Sequence, residues 1–259
     1  MTENIRFEIK NGIGCVTFNR PEARNAFTLA MYGRLEEIVQ QAQDRPNLRA
    51  LVLTGAGDKA FAAGTDISEF KTFSTADDAL NYEARMEGVL TALERSTIPT
   101  IAAMAGVCTG GGAAIAACCD LRIAAANFRF GLPMARTLGN CLSMSNYARM
   151  AALLGPARVM DIIFTARLIE AEEARAIGLL SEVLPDQARL DKRAGELAQT
   201  VAAHAPLTLR VTKEALRRVR EKMTPDDDPH LLRMCYMSED FREGMDAFLN
   251  KRKPGWKGI

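Results

Sequence analysis

The chain has 259 residues, 48% of them hydrophobic and 25% charged, with a formal net charge of +1. A balance that close to neutral removes the electrostatic case for nucleic acid or an anionic membrane as the main partner. The length suits one large domain, or a core with a smaller helical appendage.

Residues 5–11 and 14–18 alternate apolar and polar around Asn11-Gly12, which predicts a two-stranded hairpin. From Thr28 to about residue 44, Leu29, Met31, Leu35, Ile38 and Val39 recur at helical spacing, with Thr28 as the cap. Residues 50–54 read as a buried strand closed by Gly55-Ala56-Gly57-Asp58. A helix over 76–95 precedes a strand over 100–104, and 121–125 is a further short strand. This alternation continues through about residue 190 and predicts parallel sheets built by crossovers. Residues 190–204, 206–222 and 230–251 read as three helices, separated by Pro206 and by Thr224-Pro225-Asp226-Asp227-Asp228-Pro229. Their many apolar positions imply a helical unit packed on another surface, a second subunit among the options.

The start, Met1-Thr2-Glu3-Asn4-Ile5-Arg6, lacks the apolar core of a signal peptide, and the longest apolar stretch ends at Asp120 and Arg122, too short to span a bilayer. No membrane association and a cytoplasmic location are expected. Cys15, Cys108, Cys118, Cys119, Cys141 and Cys235 contain no CxxC pair, so buried free thiols are expected rather than a disulfide framework or a metal site. His204 and His230 both fall in the helical tail, where structural roles are expected, which argues against a Ser/His/Asp or Cys/His nucleophile.

The most informative stretch runs from Ala105 through Gly110-Gly111-Gly112 to Asp120. A glycine triplet between a strand and a helix of small residues lets the backbone approach another group closely. It also presents bare N–H groups at a helix N-terminus, where partial positive charge favours an anion. Tight helix packing is the competing reading of the triplet alone. Between Met104 and Met150 the only acidic residue is Asp120, so carboxylate chemistry has to come from elsewhere in the chain.

Five segments, in order, resemble the crotonase (enoyl-CoA hydratase/isomerase) superfamily. They are Asn19-Arg20-Pro21-Glu22-Ala23-Arg24-Asn25-Ala26, the run from Phe61 through Gly64-Thr65-Asp66 to Phe70, the glycine triplet, Phe128-Arg129-Phe130-Gly131-Leu132-Pro133, and the run from Gly244 to Arg252. The resemblance implies an α/β fold, a spiral of ββα repeats over 1–190 carrying an acyl-CoA site. A C-terminal helical oligomerisation region would follow over 191–259, forming a homotrimer or a dimer of trimers. It implies an acyl-CoA substrate and no cofactor beyond the CoA moiety. By position, the backbone N–H groups of Thr65 and Gly111 would polarise the thioester carbonyl and hold the resulting enolate oxygen, an effect on the order of 3 kcal/mol for preorganised donors. CoA would lie near Ala23, Arg24, Ala26, Ala62, Asp66 and Ile67. Phe248 and Lys251 match positions that reach the CoA of a neighbouring subunit. Asp66 fits a helix cap as well as a ligand contact.

The resemblance also exposes a departure. The two glutamates with which hydratases of this family handle water fall at Ala114 and Met134, and neither side chain can carry a proton. Polar candidates that remain nearby are Arg136, Asn140 and Ser143, together with Tyr147. Arg136 would anchor a substrate carboxylate if the reaction is decarboxylation of a malonyl-type CoA; Asn140, Ser143 or Tyr147 would hold a water or relay a proton. A non-catalytic acyl-CoA-binding relative is the alternative from a different class.

Overall fold

The computed structural model describes residues 3–224 and 229–259; Met1, Thr2 and the 225–228 part of the expected interhelical connection lie outside the described residues. Strands β1 (Ile5–Lys10) and β2 (Ile13–Phe18) form the expected hairpin. Asn11 and Gly12 both take positive φ, 52° and 75°, as a two-residue turn of matching twist requires. Helix α1 (Leu29–Gln43) is capped by Thr28, whose side chain accepts the Met31 N–H, and its Met31, Tyr32, Leu35, Ile38, Val39 and Ala42 face the core.

The chain then repeats a unit in which two short strands at an angle precede a helix. The first unit is β3 (Ala50–Gly55), β4 (Ala60–Ala62) and α2 (Ala76–Arg95). The second is β5 (Thr100–Met104), β6 (Val107–Thr109) and α3 (Gly111–Cys118), and the third is β7 (Leu121–Ala125), β8 (Arg129–Gly131) and the short α4 (Met134–Thr137). Helices α5 (Met144–Leu154) and α6 (Pro156–Phe164), β9 (Ile169–Glu170), α7 (Ala171–Ala176) and β10 (Glu182–Leu184) follow. The first strand of each unit joins a six-stranded sheet of order β1-β2-β3-β5-β7-β10, and the second joins a four-stranded sheet of order β4-β6-β8-β9. Pairing is parallel along β2-β3-β5-β7-β10 and β4-β6-β8. The ββα spiral is therefore present, although no repeat is visible in the letters.

Helix α8 (Gln187–Ala202) starts three residues earlier than expected because Asp186 caps it, accepting the Arg189 N–H at 2.8 Å. Its Leu190, Ala194 and Ala198 pack on Ala50, Val52, Ile101 and Ala103 of the large sheet. With both faces covered, β3 and β5 are nearly continuous apolar runs rather than alternating ones. Helix α9 (Pro206–Glu221) lies against α2 and α5, and Lys213 on it reaches Asp120 at 2.5 Å.

One expectation is corrected here. The single helix read over 230–251 is two, α10 (Pro229–Tyr236) and α11 (Glu239–Leu249). Ser238 interrupts it by capping α11, accepting the Phe241 N–H at 3.0 Å, with Glu239 and Asp240 in the first turn where the helix dipole favours acids. Helix α10 packs on α2, and α11 on α4, of the same chain. The thiols also differ in part: all six are free, but only Cys108, Cys118 and Cys119 are buried, while Cys15, Cys141 and Cys235 are half-buried. Among the described residues no helix is long and apolar enough to cross a membrane.

Candidate active site

Strands β4 and β6 are parallel neighbours, with Ala62 opposite Cys108. Both run past their ends into glycine turns, after a register shift between Ala60 and Ala62, and a Cβ built on Gly111 would stand 3.4 Å from the Thr65 hydroxyl oxygen. The turns touch: a Cβ built on Gly110 would stand 3.4 Å from Gly64 Cα. Gly110 has φ 53° and ψ −123°, a conformation that glycine adopts without a Cβ penalty, and α3 begins at the next residue. The first N–H groups of α3 have no intrahelical acceptor and carry the positive end of its dipole.

Thr65 forms a parallel bridge with Phe27, and both of its hydrogen bonds belong to Phe27: the Phe27 N–H donates to Gly64 O and the Asp66 N–H donates to Phe27 O, each at 2.8 Å. That pattern turns the N–H of Thr65 itself away from Phe27. Its hydroxyl is 2.9 Å from the Tyr32 phenol on α1 and 2.7 Å from the Tyr82 phenol on α2. Burial pushes both phenols well above their ordinary pKa, so both stay protonated at neutral pH.

The 20–26 turn locks onto the same place. Asn25 is fully buried at φ 54°; its Nδ2 donates to Ala60 O at 2.7 Å and Ala56 O at 3.1 Å, and its Oδ1 accepts the Arg20 N–H at 3.0 Å. The Ala63 N–H donates to Arg24 O at 3.1 Å, which brings Ala23, Arg24 and Ala26 beside Ala62, Asp66 and Ile67. Arg24 is exposed, Ala62 is buried, and Ala23, Ala26 and Ile67 are half-buried. Asp66 caps the turn of helix Ile67–Thr72, accepting from the Ser68 N–H and hydroxyl, and pairs with Arg20 at 3.1 Å. Burial raises its pKa, but the Ser68 hydrogen bonds and Arg20 outweigh this and hold it below the usual range. Of the two readings of Asp66, the cap is the one with visible partners. Arg20 and Asn25 were not expected to brace the turn; an Asn suited to positive φ four residues after Pro21 was the available signal.

Ala114 on α3 and Met134 on α4 are both buried, at 3% and 7% exposure. Arg136 is exposed on α4. Ser143 is buried as the cap of α5, accepting the Asn146 N–H at 3.3 Å. Asn140 Nδ2 lies 3.4 Å from the Tyr236 hydroxyl of α10, which in turn donates to Glu83 Oε1 at 2.5 Å. Neither Glu83 nor Tyr236 was singled out from sequence. The signal was an acid at position 83 on the apolar stripe of α2 that runs through Ala79, Met86 and Leu90. On α11, Phe248 is 51% exposed and Lys251 is exposed at φ 52°, while Gly244 packs against the Leu138 carbonyl.

Parallel ββα coils whose adjacent strand ends meet in two glycine turns define an α/β spiral fold, and the comparisons assign it to a family. The family model described as Enoyl-CoA hydratase/isomerase matches residues 8–259. The chain is 35% identical to the short-chain-enoyl-CoA hydratase of Clostridium acetobutylicum over 96% of both chains. It is 34% identical to the crotonyl-CoA hydratase of Syntrophomonas wolfei, over 97% of this chain and 96% of that one. Among solved structures it resembles a methylmalonyl-CoA decarboxylase in complex with 2-nitronate-propionyl-CoA, with a TM-score of 0.91 and 29% identity over 100% of both chains. The chain belongs to the enoyl-CoA hydratase/isomerase family of the crotonase superfamily, a family of enzymes.

Proposed function

We propose that this protein binds an acyl-CoA and stabilises the enolate of its thioester between the Thr65 and Gly111 N–H groups, by a route that uses neither glutamate of the hydratase pair. The observation that carries the reading is the contact of the two glycine turns, which brings Gly111 beside Thr65, with the Thr65 N–H turned away from Phe27. Two aligned donors that are fixed before the reaction stabilise a developing oxyanion without reorganising. Ala23, Arg24, Ala26, Ala62, Asp66 and Ile67 would form the CoA edge of the site, with Arg24 as an exposed cation for phosphate. No cofactor beyond the CoA moiety is invoked.

A second reading, decarboxylation of a malonyl-type CoA, is favoured by the full-length likeness to a methylmalonyl-CoA decarboxylase. Loss of CO2 delivers electrons to the enolate with no base in the first step, which suits Ala114 and Met134. Arg136 would then hold the departing carboxylate, while Asn140 or Ser143 would order water.

We also propose assembly as a homotrimer or dimer of trimers in the cytoplasm, with Phe248 and Lys251 near a CoA. Helix α9 leaves Leu207, Val211, Leu216 and Val219 exposed, with Met223 just past its end, an apolar surface suited to a subunit contact.

The test is a panel of saturated, 2-enoyl and malonyl-type CoAs, scored for product and for the rise in melting temperature that ligand binding produces. Binding by all three with turnover of one class supports the proposal. Hydration of crotonyl-CoA at ordinary hydratase rates overturns the reading of positions 114 and 134. Tight binding without any product makes the protein a binding member of the family, and no binding at all removes the acyl-CoA assignment.

A further inference from the structure

With Ala114 and Met134 in place of proton-bearing groups, the site needs another residue to move a proton. Glu83 stands on the core side of α2 at 9% exposure and accepts a hydrogen bond from Tyr236 at 2.5 Å. It directly follows Tyr82, whose phenol is 2.7 Å from the Thr65 hydroxyl. The Tyr236 ring that donates to it stands 6.5 Å, centroid to centroid, from the ring of Tyr82. The carboxylate is thus linked through the Tyr236 and Tyr82 phenols to the turn that carries Thr65. Burying a carboxylate against phenols opposes folding, and such positions are where proteins keep acids that have work to do.

We propose that Glu83 is the acid–base group of this site and that Tyr236 is its positioning residue. The inference rests on the enolate reading above. The Glu83 carboxylate takes the proton from Cα of the bound acyl thioester. The C–H electron pair becomes the Cα–C π bond, and the carbonyl π pair moves to the oxygen held by Thr65 and Gly111. Glu83 holds the proton, exchanges it with solvent, and returns a solvent-derived proton to carbon. In the decarboxylative variant the enolate forms by C–C cleavage, and a protonated Glu83 delivers its proton to Cα. Neither sequence of steps needs an oxidant or reductant.

The experiment is exchange of the α-hydrogens of butyryl-CoA in D2O, followed by mass spectrometry, with butyryl-CoA binding read from the melting temperature. Wild type is expected to exchange. Glu83→Gln is expected to bind butyryl-CoA as before and to lose about 100-fold or more in exchange rate. Tyr236→Phe removes a hydrogen bond to the charged carboxylate, so the acid limb of the exchange–pH profile is expected to move to higher pH, which a merely structural role would not cause. If Glu83→Gln does not fold, Glu83→Asp takes its place, with an intermediate loss of exchange and retained binding expected. Wild type that binds butyryl-CoA without exchanging it overturns the enolate reading and this assignment with it. Exchange retained within threefold in the Glu83 variant overturns the assignment alone, and an unmoved acid limb in Tyr236→Phe removes the positioning role.

Discussion

The Thr65 hydroxyl lies 2.7 Å from the Tyr82 phenol, so the turn that carries one proposed oxyanion donor is tied by its side chain to α2. Tyr32 holds the same oxygen at 2.9 Å from α1. Thr65→Val keeps the shape, removes the hydroxyl and takes a partner from each buried phenol. The expected loss is about 1–3 kcal/mol of stability, the cost of leaving buried polar groups short of partners. Turnover should fall with it, whereas Thr65→Ser should retain both. Urea unfolding and steady-state kinetics on the three proteins check this.

Two neighbouring glycines make different demands. A Cβ on Gly111 would stand 2.2 Å from the Tyr32 phenolic oxygen, whereas one on Gly112 would stand 2.3 Å from the Ala62 backbone carbonyl. Gly111→Ala therefore has to displace a phenol from Thr65, and Gly112→Ala has to displace strand β4 itself. Gly112→Ala is expected to lose about 1–3 kcal/mol through overpacking. Gly111→Ala is expected to reduce turnover more than its change in melting temperature accounts for. Calorimetry beside kinetics separates the two.

A buried ion cluster sets a third expectation. Arg149, with its side chain 4% exposed, meets Glu87 at 2.5 Å and Glu94 at 3.0 Å, and Arg220 of α9 also contacts Glu94. The cluster ties α2, α5 and α9 together. Arg149→Ala removes the shared cation, while Glu94 keeps Arg220 and Glu87 stays partly exposed, so a loss of about 1–3 kcal/mol is expected. Arg149→Met with Glu94→Leu should recover much of that loss. Thermal unfolding of the single and double variants measures it.

Cysteine chemistry gives a pH-dependent expectation. A hydrogen bond from Cys141 stabilises the Cys235 thiolate and outweighs burial, lowering its pKa from 9.0 to about 7. The charged form is thus favoured, and the thiolate fraction rises as pH passes through 7. Alkylation by iodoacetamide, mapped by peptide mass spectrometry, should label Cys235 with a midpoint about pH 7. In Cys141→Ala the midpoint should move up toward 9. An unchanged midpoint would show that Cys141 does not hold the thiolate.

Most of the fold was legible because its elements announce themselves locally. Strand 100–104 and helix 76–95 were expected at the residues where they occur, since an unbroken apolar run and a capped 3.6-residue period are short-range signals. The break at Ser238 was missed because the apolar stripe continues across it, and only the cap geometry separates α10 from α11. The glycine triplet was readable from its place between a strand and a helix of small residues, and the Gly64 turn through the family resemblance. Glu83 was not, since its burial depends on Tyr236, 153 positions away in sequence. A helical period marks position 83 as inward-facing, but only the fold supplies the phenol that receives the acid.

The pairing of β4 with β6 has a metric consequence. Adjacent parallel strands sit about 4.8 Å apart, and the chain emerges from both into the touching turns at Gly64-Thr65 and Gly110-Gly111. Two N–H groups separated by one such interval can both reach a single oxygen at an ordinary donor–acceptor length of about 2.9 Å. The inter-strand spacing is then the calliper that sets the width of the proposed hole, with the Thr65 hydroxyl and its two phenols steadying one side of it. Sequence change around the site can alter the acyl pocket or the proton carrier while leaving that gauge intact, as long as both turns keep their glycines.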